Sequence, residues 1–332
     1  NGFYKYYKSI IEYLLNNTNI TIHYITSDPN DAIFDLAKVR DKIKPYYIGE
    51  KKLITLMMKM DADIVVMTTP GLDVYQMKRS KTVKHYAHLE HSVGDATMYR
   101  MFGLDYFDSV LVTGMYKEAD VRILEKQRGI KPKEIVSVGC TYLDIFKEKI
   151  ESIPAEENHK FTVLLSPSWG PSAILTRYGE KLLDPLLATG WNVIVRPHPQ
   201  SKISEKEMLD RLTEKYADRK NLIWDYNSDN FYSMKKADIM ISDFSGIIYD
   251  YTFLCDKPVM YVNGDMDLRM YDAYDVPGQK PWQVNAVKKF GIELKEEQFA
   301  DIKNVIQNAS DSEELARLRH EAKAEAWDHI GG

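Results

Sequence analysis

Residues 237 to 262 read ADIMISDFSGIIYDYTFLCDKPVMYV. The run ADIMIS is apolar and short enough for a buried strand. A Ser-Asp turn follows, then a helix predicted to begin near Phe244 or Ser245, then a second strand opened by Pro258. Such strand-turn-helix-strand units build parallel sheet. In the turn SDFSG, small residues let the backbone approach a ligand, and the amides and dipole of the following helix attract phosphate. Ser242, Asp243, Ser245 and Gly246 are therefore candidate contacts to a diphosphate. A plainer alternative is that Ser242 or Asp243 caps the helix and Gly246 permits close helix packing.

The same alternation continues on both sides of this stretch. FTVLLS (161 to 166), WNVIVR (191 to 196) and NLIWDY (221 to 226) read as strands, with ILTRYGEKLLDPLLATG and SEKEMLDRLTEKYA as helices between them. Earlier, ITIHYIT (20 to 26), DIVVMTT (63 to 69), KHYAHL (84 to 89), SVLVTG (109 to 114) and EIVSVGC (134 to 140) form a first series of strands. Between the two series lies ESIPAEENHK, 151 to 160, polar and without periodicity, which reads as a linker. The expected architecture is α/β, with two doubly wound parallel-sheet domains, 1–150 and 161–310, facing a central cleft. Residues 311–332 are expected to form a C-terminal helix that crosses back. The chain opens with an amphipathic helix, NGFYKYYKSIIEYLLNN, with no strand before it, and it ends on EAWDHIGG, so a piece of a longer protein is expected.

Length and composition agree with two domains. A chain of 332 residues exceeds what one hydrophobic core usually supports, and no apolar stretch approaches the ~20 residues that cross a bilayer. The net charge of −5, with Lys and Arg scattered among Asp and Glu, offers no cationic face, which argues against a nucleic-acid partner. Cys140 and Cys255 are far apart in sequence, each beside an apolar run, as for buried free thiols in a reducing compartment. No Cys/His cluster with metal-ligand spacing occurs. The sequons at Asn16 and Asn308 read as chance matches, since no signal peptide accompanies them.

Chemistry concentrates at two strand ends. In NVIVRPHPQS, 192 to 201, His198 stands between Pro197 and Pro199, whose fixed φ restricts how the imidazole is presented. Arg196 either faces the phosphates or alternates to the other side of its strand and pairs with a carboxylate. In KHYAHLEHSVGD, 84 to 95, alternation sends His85 and His88 to opposite faces, and His91 falls just past the strand end, where function collects in α/β folds. His91 is the first candidate for a general base, His88 the reserve, and His85 a structural residue. Asp250, five residues beyond Ser245, reaches a nucleotide only if its helix meets the ligand end-on.

SDFSGIIYDYTFLCDKPVMY resembles the nucleotide-binding motif of the CDP-glycerol glycerophosphotransferase family, the teichoic-acid primases and polymerases. That motif runs S-D-Y-S-S, an apolar pair, aromatic-Asp-aromatic, and later K-P before an apolar strand. Phe244 stands for its Tyr and Gly246 for its second Ser. VRPHP resembles the family's R-P-H-P segment, in the same order and spacing. HSVGDATMYRMFGLDYFDSVLVTG and VGCTYLD extend the likeness less sharply over nearly the whole chain. Two departures stand out. His91 precedes Ser92 where the family has His-Gly, and Gly170 follows Pro167-Ser168-Trp169 where many relatives have Arg.

The resemblance implies a GT-B fold of two Rossmann-like domains, with the donor mainly in the C-terminal one. It implies a transferase that moves glycerol phosphate or ribitol phosphate from a CDP-polyol to an acceptor hydroxyl of a teichoic-acid-like or capsular polymer, releasing CMP without a cofactor. His198 and His91 then carry catalysis, with Arg196, Ser242, Asp243, Ser245, Gly246 and Asp250 around the CDP-polyol. The acceptor is a lipid-linked or oligomeric polyol phosphate or glycan, which implies a peripheral protein at the cytoplasmic face of the bacterial membrane. The competing expectations are a GT-B sugar-nucleotide glycosyltransferase or UDP-sugar 2-epimerase, and a non-catalytic nucleotide-binding subunit of a polymer-synthesis complex. An epimerase is expected to show Gly-Gly and paired Glu in the turn, which SDFSGIIYD lacks.

Overall fold

The computed structural model describes residues 3–74, 77–154, 159–227, 229–264, 267–278, 281–310 and 312–331. Residues 155–158 of the expected linker lie outside the described residues. The chain divides into two units. Unit 1 comprises Asn1–Ile145, Leu268–Gln279 and Glu325–Gly332, and unit 2 comprises Phe146–Asp267 and Lys280–Ala324.

In unit 1 the strands are β1 (Ile22–Thr26), β2 (Ile43–Tyr47), β3 (Ile64–Met67), β4 (His85–Leu89), β5 (Ser109–Val112) and β6 (Glu134–Ser137). The helices are α1 (Tyr4–Asn17), α2 (Ile33–Ala37), α3 (Glu50–Lys59), α4 (Glu118–Arg128) and α5 (Thr141–Ser152), the last of which carries the chain across the boundary into unit 2. β3 to β6 form a four-stranded parallel sheet in sequence order, and β1 pairs with β2 in a separate parallel pair. β2 is a strand that the sequence pattern hides. Pro45 interrupts it, and proline is tolerated because it removes a donor only where no further strand is paired. Tyr86, Val110, Val112 and Phe107 pack the core against Leu72 and Val121.

Two later segments complete unit 1. Asp272 accepts hydrogen bonds from the amides of Phe102 (2.6 Å) and Gly103 (3.1 Å) and pairs with Arg128 at 2.8 Å. Trp327 is buried and donates from Nε1 to Asp144 at 3.2 Å, and the Asp328 amide donates to the Thr113 carbonyl at 3.0 Å. Gly139 is required here: its φ is +75°, and a Cβ on it would collide with the Asp328 carbonyl.

Unit 2 holds β7 (Thr162–Leu165), β8 (Asn192–Val195), β9 (Leu222–Trp224), β10 (Ile239–Ser242), β11 (Val259–Tyr261) and β12 (Ile292–Glu293). Its helices are α6 (Ile174–Ala188), α7 (Ser201–Ser204), α8 (Lys206–Lys215), α9 (Phe231–Lys236), α10 (Ile247–Cys255), α11 (Trp282–Phe290), α12 (Ile302–Ser310) and α13 (Glu313–Ala326). All six strands are parallel, in the order β12-β11-β10-β7-β8-β9. This is the doubly wound order, with the chain reversing direction between β7 and β10. β7, β10 and β11 are buried on both faces, which explains why they read as unbroken apolar runs. Ile174, Leu182, Leu183 and Leu186 of α6 cover β7 and β8. Cys140 is buried, Cys255 is half-buried, and both are free. Among the described residues no helix is long and apolar enough to cross a membrane.

Candidate active site

In a doubly wound sheet the ligand crevice opens beyond the carboxyl ends of the strands flanking the reversal. In unit 2 those strands are β7 and β10. β7 runs into Ser166–Gly170, β10 into Ser242–Gly246, and β8, beside β7, into Arg196-Pro197-His198. The three motifs picked out in the sequence of unit 2 therefore meet at one rim.

Hydrogen bonds fasten the rim together. Ser242 is fully buried, and its hydroxyl donates to the Ser166 carbonyl at 2.6 Å. The Asp243 carboxylate accepts from the Ser168 amide (3.0 and 3.2 Å) and the Ile174 amide (2.8 Å). Burial raises the pKa of Asp243 even against these amides. Both side chains are thus committed to shaping the 166–174 loop. Arg196 takes the second of its two expected roles: its guanidinium bonds Asp225 and the Asn227 carbonyl, each at 2.6 Å. Burial alone would push Asp225 up, but hydrogen bonds from Ser233, Asn227 and Arg196 together hold it below the usual carboxylate range.

α10 begins at Ile247, two to three residues later than the sequence suggests, with Gly246 at its N-cap and no side-chain cap. Neither Ser242 nor Asp243 caps it. Gly246 has ordinary φ and ψ of −61° and −18°, and a Cβ placed on it meets nothing within 4 Å. Close helix packing therefore does not explain this glycine; the space above it is open. Ser245 beside it is half-buried, and Asp250 sits in the first turn of α10. The Ile248 and Tyr249 amides already donate to the Ser245 and Gly246 carbonyls at 3.3 and 3.1 Å, so it is the amides just before them, around Ser245 and Gly246, that this end of α10 offers to an anion.

His198 is half-buried, and its Nδ1 accepts a hydrogen bond from the Gln200 amide at 3.1 Å. An Nδ1 that accepts carries no proton, so the neutral ring holds its proton on Nε2. Burial lowers the His198 pKa, and the pull of Glu205 and Asp243 in the other direction does not overcome it. The ring is a neutral Nε2–H donor at neutral pH. Trp169, 49% exposed, lies 6.4 Å from it, ring centre to ring centre. The Gly170 amide donates to Glu205 at 3.0 Å, where relatives are expected to carry Arg.

In unit 1, His91 follows β4, as its spacing predicts. Its Nδ1 lies 2.8 Å from Thr68 Oγ1, just past β3, and its ring sits between Tyr6 (5.3 Å) and Tyr99 (6.3 Å). Burial lowers its pKa, and a hydrogen bond to the Thr68 main chain acts in the opposite direction. His88 is fully enclosed by Tyr99 and Phe107, with Nε2 3.1 Å from Tyr99 Oη. Burial pushes its pKa down to about 3, so it stays neutral within the core. His85 contacts Ser109 Oγ at 2.9 Å. Among the described residues no group of three or more His, Cys, Asp or Glu could hold a metal ion.

Two outcomes follow directly. His88 is neutral in the folded chain down to about pH 3 but protonates near pH 6.5 when unfolded. Its stabilising contribution is complete above that pH. It is lost as pH falls towards 3, by about 1.4 kcal/mol per unit, because the unfolded chain takes up a proton that the fold refuses. Urea midpoints measured from pH 7 to 4 will show this slope, and His88→Leu will flatten it by roughly one proton. Gly246→Ala will leave Tm unchanged or slightly raised, since backbone and space both admit the methyl. Its KM for a diphosphate donor will rise about tenfold if the open space is the cradle. An unchanged KM removes the cradle from Gly246.

The chain matches the family described as CDP-glycerol:poly(glycerophosphate) glycerophosphotransferase over residues 3–275. No curated protein matches it. Among solved structures it is similar to the wall teichoic acid polymerase TagF, at 13% identity and TM-score 0.53 over 96% of this chain and 80% of that one. A structure of the same polymerase with CDPG gives 13% and 0.51, over 98% and 80%. Staphylococcus aureus MnaA with UDP gives 14% and 0.59, over 98% of this chain and 90% of that one. The Methanocaldococcus jannaschii UDP-GlcNAc 2-epimerase with UDP-GlcNAc and UDP also gives 14% and 0.59, over 96% and 95%. At these identities the likeness establishes the fold, which is GT-B-like.

Proposed function

Because the chain belongs to the CDP-glycerol:poly(glycerophosphate) glycerophosphotransferase family, we propose that it moves glycerol phosphate from CDP-glycerol to an acceptor hydroxyl of a teichoic-acid-like or capsular polymer and releases CMP. The observation that carries this reading is the rim of unit 2, where the 166–170 loop, His198 and the open N-terminus of α10 meet at the sheet's reversal. The epimerase gives the higher TM-score, 0.59 against 0.53 for the polymerase, but at 13–14% identity both likenesses extend to fold alone, and family membership favours phosphoryl transfer.

In this proposal the acceptor oxygen attacks the phosphorus that bears glycerol. The bond from that phosphorus to the bridging oxygen breaks, and CMP leaves with the bonding electron pair. His91 is the general base that takes the acceptor's proton. The role requires the tautomer in which Nδ1, 2.8 Å from Thr68 Oγ1, is the donor, which leaves the Nε2 lone pair free to accept the proton. Its lowered pKa keeps it in the neutral, proton-accepting form at neutral pH. His198 donates from Nε2 to the charge developing on the diphosphate, and the amides around Ser245 and Gly246 bind the same group. Ser242 and Asp243 act on the donor by fixing the loop, and Arg196 by tying β8 to the Asp225 turn. His88 serves the core.

A lipid-linked or oligomeric acceptor would bring the chain to the inner face of the membrane as a peripheral protein. The test is direct. The chain is incubated with CDP-glycerol, CDP-ribitol or UDP-sugars and an oligomeric glycerol phosphate acceptor, and the released nucleotide is identified. CMP from CDP-glycerol is expected. UDP release overturns the reading, and tight nucleotide binding without turnover marks a non-catalytic subunit instead.

A further inference from the structure

Directly before His91 lies a buried polar cluster that the proposed chemistry does not use. Glu90 and Lys117 are each 2% exposed, and Lys117 Nζ lies 2.5 Å from Glu90 Oε2. Lys117 also donates to the Ser92 carbonyl at 2.9 Å, and the Thr113 amide donates to the same Glu90 oxygen at 3.2 Å. Tyr116, next to Lys117, donates to the Val93 carbonyl. Three further buried atoms, Glu90 Oε1, His88 Nδ1 and Thr113 Oγ1, have no hydrogen-bond partner among the described residues.

As a device for stability alone this arrangement is poor. A buried ion pair is often no more stabilising than well-packed apolar residues of the same volume, and each unsatisfied polar atom works against the fold. What the cluster does achieve is geometric. His91 is flanked in sequence by Glu90 and Ser92, and Lys117 grips the first by its carboxylate and the second by its carbonyl. The base is thereby fastened on both sides to the residue just before α4.

We propose that Lys117, through its pair with Glu90, is a positioning residue that holds the 90–92 segment so that His91 is presented as a base. This rests on the assignment of His91 above. Lys117 does not touch the reacting atoms. Also facing His91 are Lys5 and Tyr6 of α1, Thr68 after β3, Tyr99, and the neutral His88 of β4. Of the charged ones, Lys117 and Lys5 both disfavour the imidazolium. Removing Lys117 therefore raises the His91 pKa as well as loosening its anchor.

Lys117→Met alone would strand a buried carboxylate, so the test uses Glu90→Leu/Lys117→Met, which removes both charges. The expected protein keeps a Tm close to that of the parent. Its kcat for CMP release falls at least about tenfold, while KM for CDP-glycerol, governed by unit 2, stays within about twofold. By NMR the His91 ring nitrogen shifts, which report the tautomer, move away from those of the parent as the hold on the 90–92 segment is lost. Should this pair not fold, Glu90→Gln/Lys117→Gln, which keeps the polar shape, is read by the same criteria. A folded double variant in which either the His91 ring nitrogen shifts or kcat stay as in the parent overturns the proposal. If the parent protein releases no CMP at all, the function proposed above fails, and displaced ring nitrogen shifts still support the anchoring of His91.

Discussion

His198→Ala lowers kcat for CMP release roughly 10²- to 10³-fold with Tm little changed, as expected when one preorganised donor to a developing charge is removed. The side chain is half-buried and, among the described residues, makes a single hydrogen bond, from the Gln200 amide, so its loss does little to the fold. The tautomer makes the expectation sharper. With Nδ1 accepting from Gln200, the working group is a neutral Nε2–H, and activity requires no protonation of this ring. Raising the pH through 7 to 9 therefore leaves kcat on a plateau. The acid limb belongs to His91, which must be neutral to act as a base. Burial lowers its pKa, so the midpoint of that limb falls below the 6.5 of free imidazole. A pH profile that declines above 6.5, in the parent but not in His198→Gln, would instead mean that His198 works as an imidazolium.

Asp243→Ala is expected to cost about 3–5 kcal/mol, a fall in Tm on the order of 10 °C, because the buried amides of Ser168 and Ile174 lose their acceptor. Asp243→Asn keeps one carbonyl oxygen and loses about half as much. Calorimetry beside the nucleotide-release assay separates two meanings of this aspartate. If it shapes the 166–174 loop, stability and turnover fall together. Loss of turnover with Tm intact would return Asp243 to direct contact with the donor.

The contrast between these residues marks how far the sequence reaches. The buried strands were legible because a parallel sheet covered on both faces leaves an uninterrupted apolar run, as in β7 and β10. The placement of His91 and His198 just past strand ends was legible because apolar runs mark where β4 and β8 stop. β2 was hidden by Pro45, and β12, at two residues, is too short to show a period. Side-chain partners were less legible still. Asp243 bonds amides 69 and 75 residues away, and Arg196 finds Asp225 at a separation of 29, distances over which local pattern carries no information. The Glu90–Lys117 pair, 27 residues apart, was missed for the same reason.

The threading of the chain also dictates an order of events during synthesis. Of the two units, the one whose translation starts earlier is the last that can be finished. Asp272 and Trp327 enter its core only after most or all of unit 2 has been translated. Until then the partners of those side chains, the Phe102 and Gly103 amides and Asp144 among them, are without them. A chain released at residue 324 would keep every residue of unit 2 yet leave unit 1 open to protease at Gly139, where the Asp328 carbonyl would otherwise lie.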